Sequence, residues 1–161
     1  MHSVFVGIGG NIGDKLLNFR KAEKLIDEIM GNIILASSIY ESPPWGFKSN
    51  DTFWNQVLKI ETNLPPTGLL EKIHRIEGMF GRERSSTGYS SRQMDIDILY
   101  FDDLILETEK LTIPHPLLHK RMFVLTPLCE IAPDFIHPAL KLTSNQMKDN
   151  CTDKSVVSKT V

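Results

Sequence analysis

At 161 residues the chain is long enough to bury a real core and fits one domain, or one domain with a short tail. A net charge of −2 and a pI near 6.2 give no general attraction for nucleic acid or anionic membrane, so any bound anion needs a local set of cations. Met1 runs into Val4–Ile8 without a basic leader, no apolar stretch nears spanning length, and Cys129 and Cys151 fit neither a disulfide framework nor a four-ligand zinc set; a soluble, cytoplasmic protein with two free thiols is expected.

Val4–Ile8 reads as a buried strand that ends in the glycine-rich turn Gly9-Gly10-Asn11-Ile12-Gly13, after which Asp14 is placed to cap a helix. Lacking the Lys-Ser/Thr of a P-loop and the full G-x-G-x-x-G, this turn reads as structural. Ala22, Leu25, Ile26, Ile29 and Met30 recur at helical spacing, with Gly31 as a left-handed C-terminal residue. Ile33–Tyr40 returns as a strand. Ser42-Pro43-Pro44-Trp45-Gly46-Phe47 cannot continue it, because prolines lack donors, and a loop to about Asp51 follows. Phe53–Thr62 is the next strand, and Pro65-Pro66 opens a second helix with Leu69, Ile73, Ile76 and Phe80 on one stripe and Gly81 at its end.

The polar segment from Arg82 to Ser91 is a loop, Met94–Phe101 a strand and Asp102-Asp103 a turn. Short extended pieces lie between Leu104 and Ile113, and Arg121–Ile131 is helical despite Pro127. The order strand-helix-strand-strand-helix-strand is a split βαβ, which predicts an α+β fold with a mainly antiparallel sheet covered by helices. One domain is expected over residues 1–145. Residues 146–161 are polar, aromatic-free and aperiodic, and are expected to fray.

The chemistry centres on Asp95-Ile96-Asp97 within that apolar strand, flanked by Arg82, Arg84 and Arg92 before it and His115 and Arg121 after it. Alternation along a strand projects the two carboxylates together and sends Met94, Ile96, Ile98 and Tyr100 to the other face. Two like charges this close call for a cation. Hard oxygen ligands suit Mg²⁺, which takes one or two carboxylates and completes its shell with water and substrate phosphate, while arginines offer forked donors to the remaining phosphate oxygens.

Beyond these residues, Gly9-Gly10-Asn11, Ser42-Pro43-Pro44-Trp45-Gly46, Phe53-Trp54-Asn55, Gly81-Arg82-Glu83-Arg84, Arg92-Gln93-Met94-Asp95-Ile96-Asp97-Ile98 and Ile113-Pro114-His115-Pro116, followed by Arg121 and Pro127-Leu128, occur in one order. In them the chain resembles the 6-hydroxymethyl-7,8-dihydropterin pyrophosphokinase family, over roughly Val4 to Pro138. The resemblance implies a ferredoxin-like, three-layer fold with helices on both faces of the sheet. It also implies transfer of a pyrophosphoryl group from ATP, the co-substrate, to the pterin's hydroxymethyl oxygen, releasing AMP with the help of two Mg²⁺ ions.

Carried onto this sequence, the resemblance gives Asp95 and Asp97 to the metal and Arg82 and Arg92 to the phosphates during reaction. Arg84, Arg121 and His115 join Arg92 in gathering ATP, Leu70, Ile98, Leu111 and Thr112 meet adenine, and His74 and Glu77 neighbour the ribose or phosphates, although exposed helix polarity explains those two about equally well. Phe53 and Asn55, which share a strand face by period two, would stack on and hydrogen-bond the pterin, with Phe123 across the ring and Ser42, Pro43 and Trp45 at its edge. The loops Ser42 to Asp51 and Arg82 to Ser91 would close over bound substrates. The partners implied are these small molecules, with no nucleic acid and no membrane, and a monomer is the simplest state. Rival readings of the acidic strand are metal-dependent glycosyl transfer, RNA recognition on a ferredoxin-like sheet, and a plain solvated strand face.

Overall fold

The computed structural model describes residues 1–44, 52–81 and 93–160. Its elements in chain order are β1 (His2–Gly10), α1 (Lys15–Leu25) running into a wide π-type turn (Ile26–Met30), β2 (Asn32–Ala36), β3 (Tyr40–Ser42), β4 (Phe53–Thr62), α2 (Pro66–Met79) and β5 (Asp95–Phe101). A two-stranded ribbon of β6 (Leu106–Glu107) and β7 (Thr112–Ile113) follows, then α3 (Met122–Ile131), α4 (Ser144–Asn150) and β8 (Ser158–Lys159).

Among the described residues the main sheet has the order β5-β1-β4-β3-β8, with β2 also paired to β4, and its pairings are antiparallel. β1 owes its central place to Val4, Val6 and Ile8, which alternate with Phe5 and so present apolar groups to both faces. One face buries Val4, Val6, Ile8, Leu58, Ile60, Ile96 and Ile98 against Phe19 and Ala22 of α1 and Leu69, Ile73 and Ile76 of α2. The other packs Phe5, Val57, Leu99 and Tyr100 against Leu125 and Leu128 of α3 and Met147 of α4. Helices cover both faces, and the layers number three. Truncating one of the fully buried aliphatics, such as Ile73, would cost about 2 to 5 kcal/mol.

The helix signals act locally as their chemistry requires. Asp14 accepts the amide of Leu17 at 3.1 Å, Pro66 stands in the first turn of α2, and Gly81 ends that helix at φ +72°. Four expectations need correction. Gly31 is not left-handed: its backbone is extended, and it is required because a Cβ there would run into the Glu61 carbonyl oxygen and stand 2.9 Å from Thr62 Cβ. The stretch 33–40 is not one strand but β2 and the start of β3, separated where Ser37 turns its side chain onto the β4 backbone, Oγ accepting the Val57 amide at 2.9 Å.

Tyr100 does not share a face with Met94, Ile96 and Ile98. The β1–β5 register shifts between Phe5 and Val6, so a bulge at Leu99 reverses the alternation and sends Tyr100 toward α3 and Phe101 toward α2. Of the segment 146–161 expected to fray, the described residues 146–160 do not. A reciprocal capping box between Thr143 and Gln146 starts α4, Cys151 is buried beneath α3 rather than exposed in a polar tail, and β8 pairs with β3. No helix among the described residues is long and apolar enough to cross a membrane.

Candidate active site

β5 is an edge strand, and its carboxylates face a floor with no side chains. Asp95 lies opposite Gly9 and Asp97 opposite Gly7 in the β1–β5 register, while on the far side of β1 the same glycines face Asn55 and Val57 of β4. Two glycines in the middle of a central strand open a hollow in the sheet surface. The Asn55 amide occupies part of it, its Oδ1 only 2.5 Å from where a Gly9 Cβ would stand.

Two clefts meet at this point. The narrower is lined by Gly7, Gly9, Ser42, Pro43, Phe53, Asn55, Leu99, Arg121, Phe123 and Val124, and the wider by Leu70, His74, Glu77, Ile98, Lys110, Leu111 and Thr112. Asp95, Asp97 and His115 line both. The narrower cleft has two aromatic rings and a buried amide: the Asn55 side-chain NH₂ and the Ser42 hydroxyl have no hydrogen-bond partner among the described residues. Buried polar atoms left unmet are costly, and both residues line a cavity that a polar-edged ligand would fill. Arg121 stands over the Phe123 ring, 5.5 Å from its centroid.

His115 follows the cis Ile113–Pro114 bond. Its Nδ1 accepts the Leu117 amide at 3.1 Å, so in the neutral ring the proton sits on Nε2, which is then a donor. Burial, reinforced by the Arg121 charge and opposed by Asp95, pushes its pKa down to about 4. The ring is therefore neutral at neutral pH and donates without carrying charge.

The structure brings together most of the residues singled out from sequence, in two groups. Phe53, Asn55, Ser42, Pro43 and Phe123 are in the narrower cleft; Leu70, His74, Glu77, Ile98, Leu111 and Thr112 are in the wider one. Arg121, expected with the ATP set, lines the narrower cleft instead. Glu77 is no exposed helix residue. It is 3% exposed, and its Oε2 accepts the Ile96 amide at 3.0 Å, pinning the strand between the two aspartates. Trp45, Arg82, Arg84 and Arg92 lie outside the described residues, as do positions 45–51 and 82–91 of the loops expected to close.

Sequence reasoning passed over Gly7 as part of the floor and Lys110 as a cation in the wider cleft. A glycine within a strand was the available signal for the first; nothing separates Lys110 from any surface lysine. For a metal, the donor set is informative. No group of three or more His, Cys, Asp or Glu capable of holding an ion is found among the described residues, which argues against a closed protein cage of the zinc type. A pair of carboxylates beside open space fits Mg²⁺, which draws its other ligands from water and phosphate.

The family model for 7,8-dihydro-6-hydroxymethylpterin-pyrophosphokinase matches residues 5–133. The chain is 41% identical over 155 residues to the 2-amino-4-hydroxy-6-hydroxymethyldihydropteridine pyrophosphokinase of Aquifex aeolicus, covering 96% of this chain and 95% of that protein. It is 34% identical to the protein of the same name from Haemophilus influenzae, covering 97% and 98%. Folic acid synthesis protein FOL1 of Dictyostelium discoideum is 42% identical over 91% of this chain, which spans only 22% of that protein's length. Among solved structures, wild-type Plasmodium falciparum HPPK-DHPS superposes with a TM-score of 0.75 at 17% identity, over 92% of this chain and 44% of that one. At that identity the likeness concerns the fold.

Proposed function

The chain belongs to the 7,8-dihydro-6-hydroxymethylpterin-pyrophosphokinase family, and from that premise we propose that it transfers the pyrophosphoryl group of ATP to the hydroxymethyl oxygen of 6-hydroxymethyl-7,8-dihydropterin in folate biosynthesis. One observation carries this reading: the two clefts converge on Asp95, Asp97 and His115. Joining two substrates requires both to arrive at one point with their reacting atoms aligned, and much of the barrier is removed by that placement.

The narrower cleft takes the flat pterin. Phe53 and Phe123 supply faces for its rings, and the unmet amide of Asn55 and hydroxyl of Ser42 meet its donor and acceptor edge. The wider cleft takes ATP, with adenine against Leu70, Ile98, Leu111 and Thr112, and with His74 and Lys110 beside the ribose and phosphates. Glu77 holds the Ile96 amide and so fixes the spacing of the two aspartates. His115 donates from Nε2 to a phosphate oxygen, and Arg121, in the narrower cleft with its charge felt at His115, lends positive charge where the transferred phosphates meet the pterin. Arg82, Arg84 and Arg92 are assigned to the phosphates on the family pattern.

In the reaction the pterin hydroxymethyl oxygen bonds to the β-phosphorus, the bond from that phosphorus to the α–β bridging oxygen breaks, AMP leaves and the hydroxyl proton is released. Two Mg²⁺ ions held by Asp95 and Asp97 would, when bound, neutralise charge on the triphosphate. Purified protein given Mg²⁺, ATP and the pterin should form one AMP per diphosphorylated pterin by ³¹P NMR. ADP in place of AMP would overturn the proposal.

A further inference from the structure

α3 begins with a defect that its own sequence cannot repair. Its N-cap position is Arg121, a cation that makes no capping hydrogen bond, which leaves the first helical amide without a local acceptor. The acceptor comes from a position 31 residues later: Asp153 Oδ2 takes the Met122 amide at 3.0 Å. Its Oδ1 takes the Ser155 amide at 3.0 Å and the Ser155 hydroxyl at 2.6 Å. The carboxylate thus supplies both a missing acceptor and a negative charge at the positive end of the helix. The residues on either side of the capped amide are Arg121 and Phe123, both in the narrower cleft.

The same segment reaches another wall of that cleft. After Asp153 the chain continues to β8, which pairs Lys159 with Tyr40 and Ser158 with Glu41 of β3, and Thr160 donates its amide to Ile39 at 2.8 Å. β3 ends at Ser42, which lines the cleft and whose strand partner is Phe53. Cys151 anchors the start of the segment in the core below α3.

We infer that residues 151–160 are a strap tying together the two walls of the pterin cleft, and that Asp153 is the positioning residue for Arg121 and Phe123. A ring stacked between two phenylalanines tolerates little error in their spacing. The strap therefore acts on pterin affinity without touching the pterin. This rests on the proposed activity only where substrate kinetics are the readout.

The test compares Asp153→Ala, Asp153→Asn and Gln146→Ala in the full chain. Gln146→Ala removes half of the α4 capping box, so it weakens the same C-terminal region without touching α3. Asp153→Ala should raise the KM for the pterin about tenfold with kcat changed no more than about twofold, and Asp153→Asn, which keeps one acceptor, should recover most of that loss. Gln146→Ala should lower the Tm and leave both KM values in place. Exchange of the Met122 amide should quicken about tenfold in Asp153→Ala alone. An unchanged pterin KM in Asp153→Ala, or an equal rise in Gln146→Ala, overturns the inference. If the wild-type chain makes no AMP the proposed function fails, and amide exchange at Met122 still decides whether Asp153 holds the helix start.

Discussion

Asn55 Oδ1 lies 2.5 Å from the position a side-chain carbon on Gly9 would take, so the absence of a side chain at Gly9 and the placement of the Asn55 amide are one feature of the site. The neighbour is the end of a side chain, so Gly9→Ala should leave the sheet folded while turning the amide away. Pterin affinity should fall about ten- to hundredfold, the worth of one or two amide hydrogen bonds, and affinity for a nonhydrolysable ATP analogue should hold. Calorimetric titration of each ligand checks both halves. Unaltered pterin binding by the variant would break the link between Gly9 and Asn55.

Gly31 presents the opposite case. The obstacle to a Cβ there is the backbone carbonyl of Glu61 on β4, which cannot move without pulling the strand. Gly31→Ala should cost more than about 2 kcal/mol in urea unfolding while leaving the substrate KM values of the folded fraction near those of the wild type.

Asp97→Ala should reduce turnover about a thousandfold or more, because cation stabilisation of phosphoryl transfer is worth several kcal/mol. Stability should hold or rise in metal-free buffer, since one of two adjacent like charges has gone. Adding Mg²⁺ with an ATP analogue should raise the Tm of the wild type and not that of the variant. Equal shifts in both would remove the metal from this pair of residues.

Much of this arrangement was legible because the signals were local. β4 and α2 could be bounded from Phe53–Thr62 and from Pro66 and Gly81, and two carboxylates in an apolar strand mark a candidate site. What escaped depends on partners distant in sequence. Period-two alternation has no way to register the bulge that turns Tyr100 to the other face, because the shift lies in the pairing of β5 with β1. Glu77 reads equally as a ribose or phosphate neighbour or as exposed helix polarity until the Ile96 amide is placed beside it. The residues from 151 onward show no period because the strap works through backbone pairing and one carboxylate, neither of which needs apolar side chains.

His115 offers a test in pH. Its folded-state pKa of about 4 lies below the ordinary 6.5, so the unfolded chain takes up the proton first as pH falls. Stability is therefore lost between about pH 6.5 and 4, with no further loss from this group below that. In the ligand-free protein, ¹⁵N imidazole shifts should show His115 neutral with Nε2 protonated throughout pH 5 to 8. His115→Gln should flatten the acid side of the stability profile, and a ring titrating near 6.5 would contradict the assignment.

Glu130, at the far end of α3, ties that helix to the start of β3. Its carboxylate accepts the Tyr40 hydroxyl at 2.6 Å and the Ser38 amide at 3.1 Å, and the Ser38 hydroxyl adds a third donor at 3.0 Å. Against the cost of partial burial, these donors hold its pKa below the usual carboxylate value, while burial and the same carboxylate push that of Tyr40 up to about 12. A depressed acid stabilises the fold above its unfolded-state pKa, and that contribution disappears as pH falls through the folded value. Glu130→Ala leaves the buried Tyr40 hydroxyl without its acceptor and should cost about 1 to 2 kcal/mol at neutral pH, measured by urea unfolding. Tyr40→Phe should cost less, because it removes donor and need together, and the double variant should cost less than the two single losses added. Strict additivity would mean that the two groups do not interact across the α3–β3 junction.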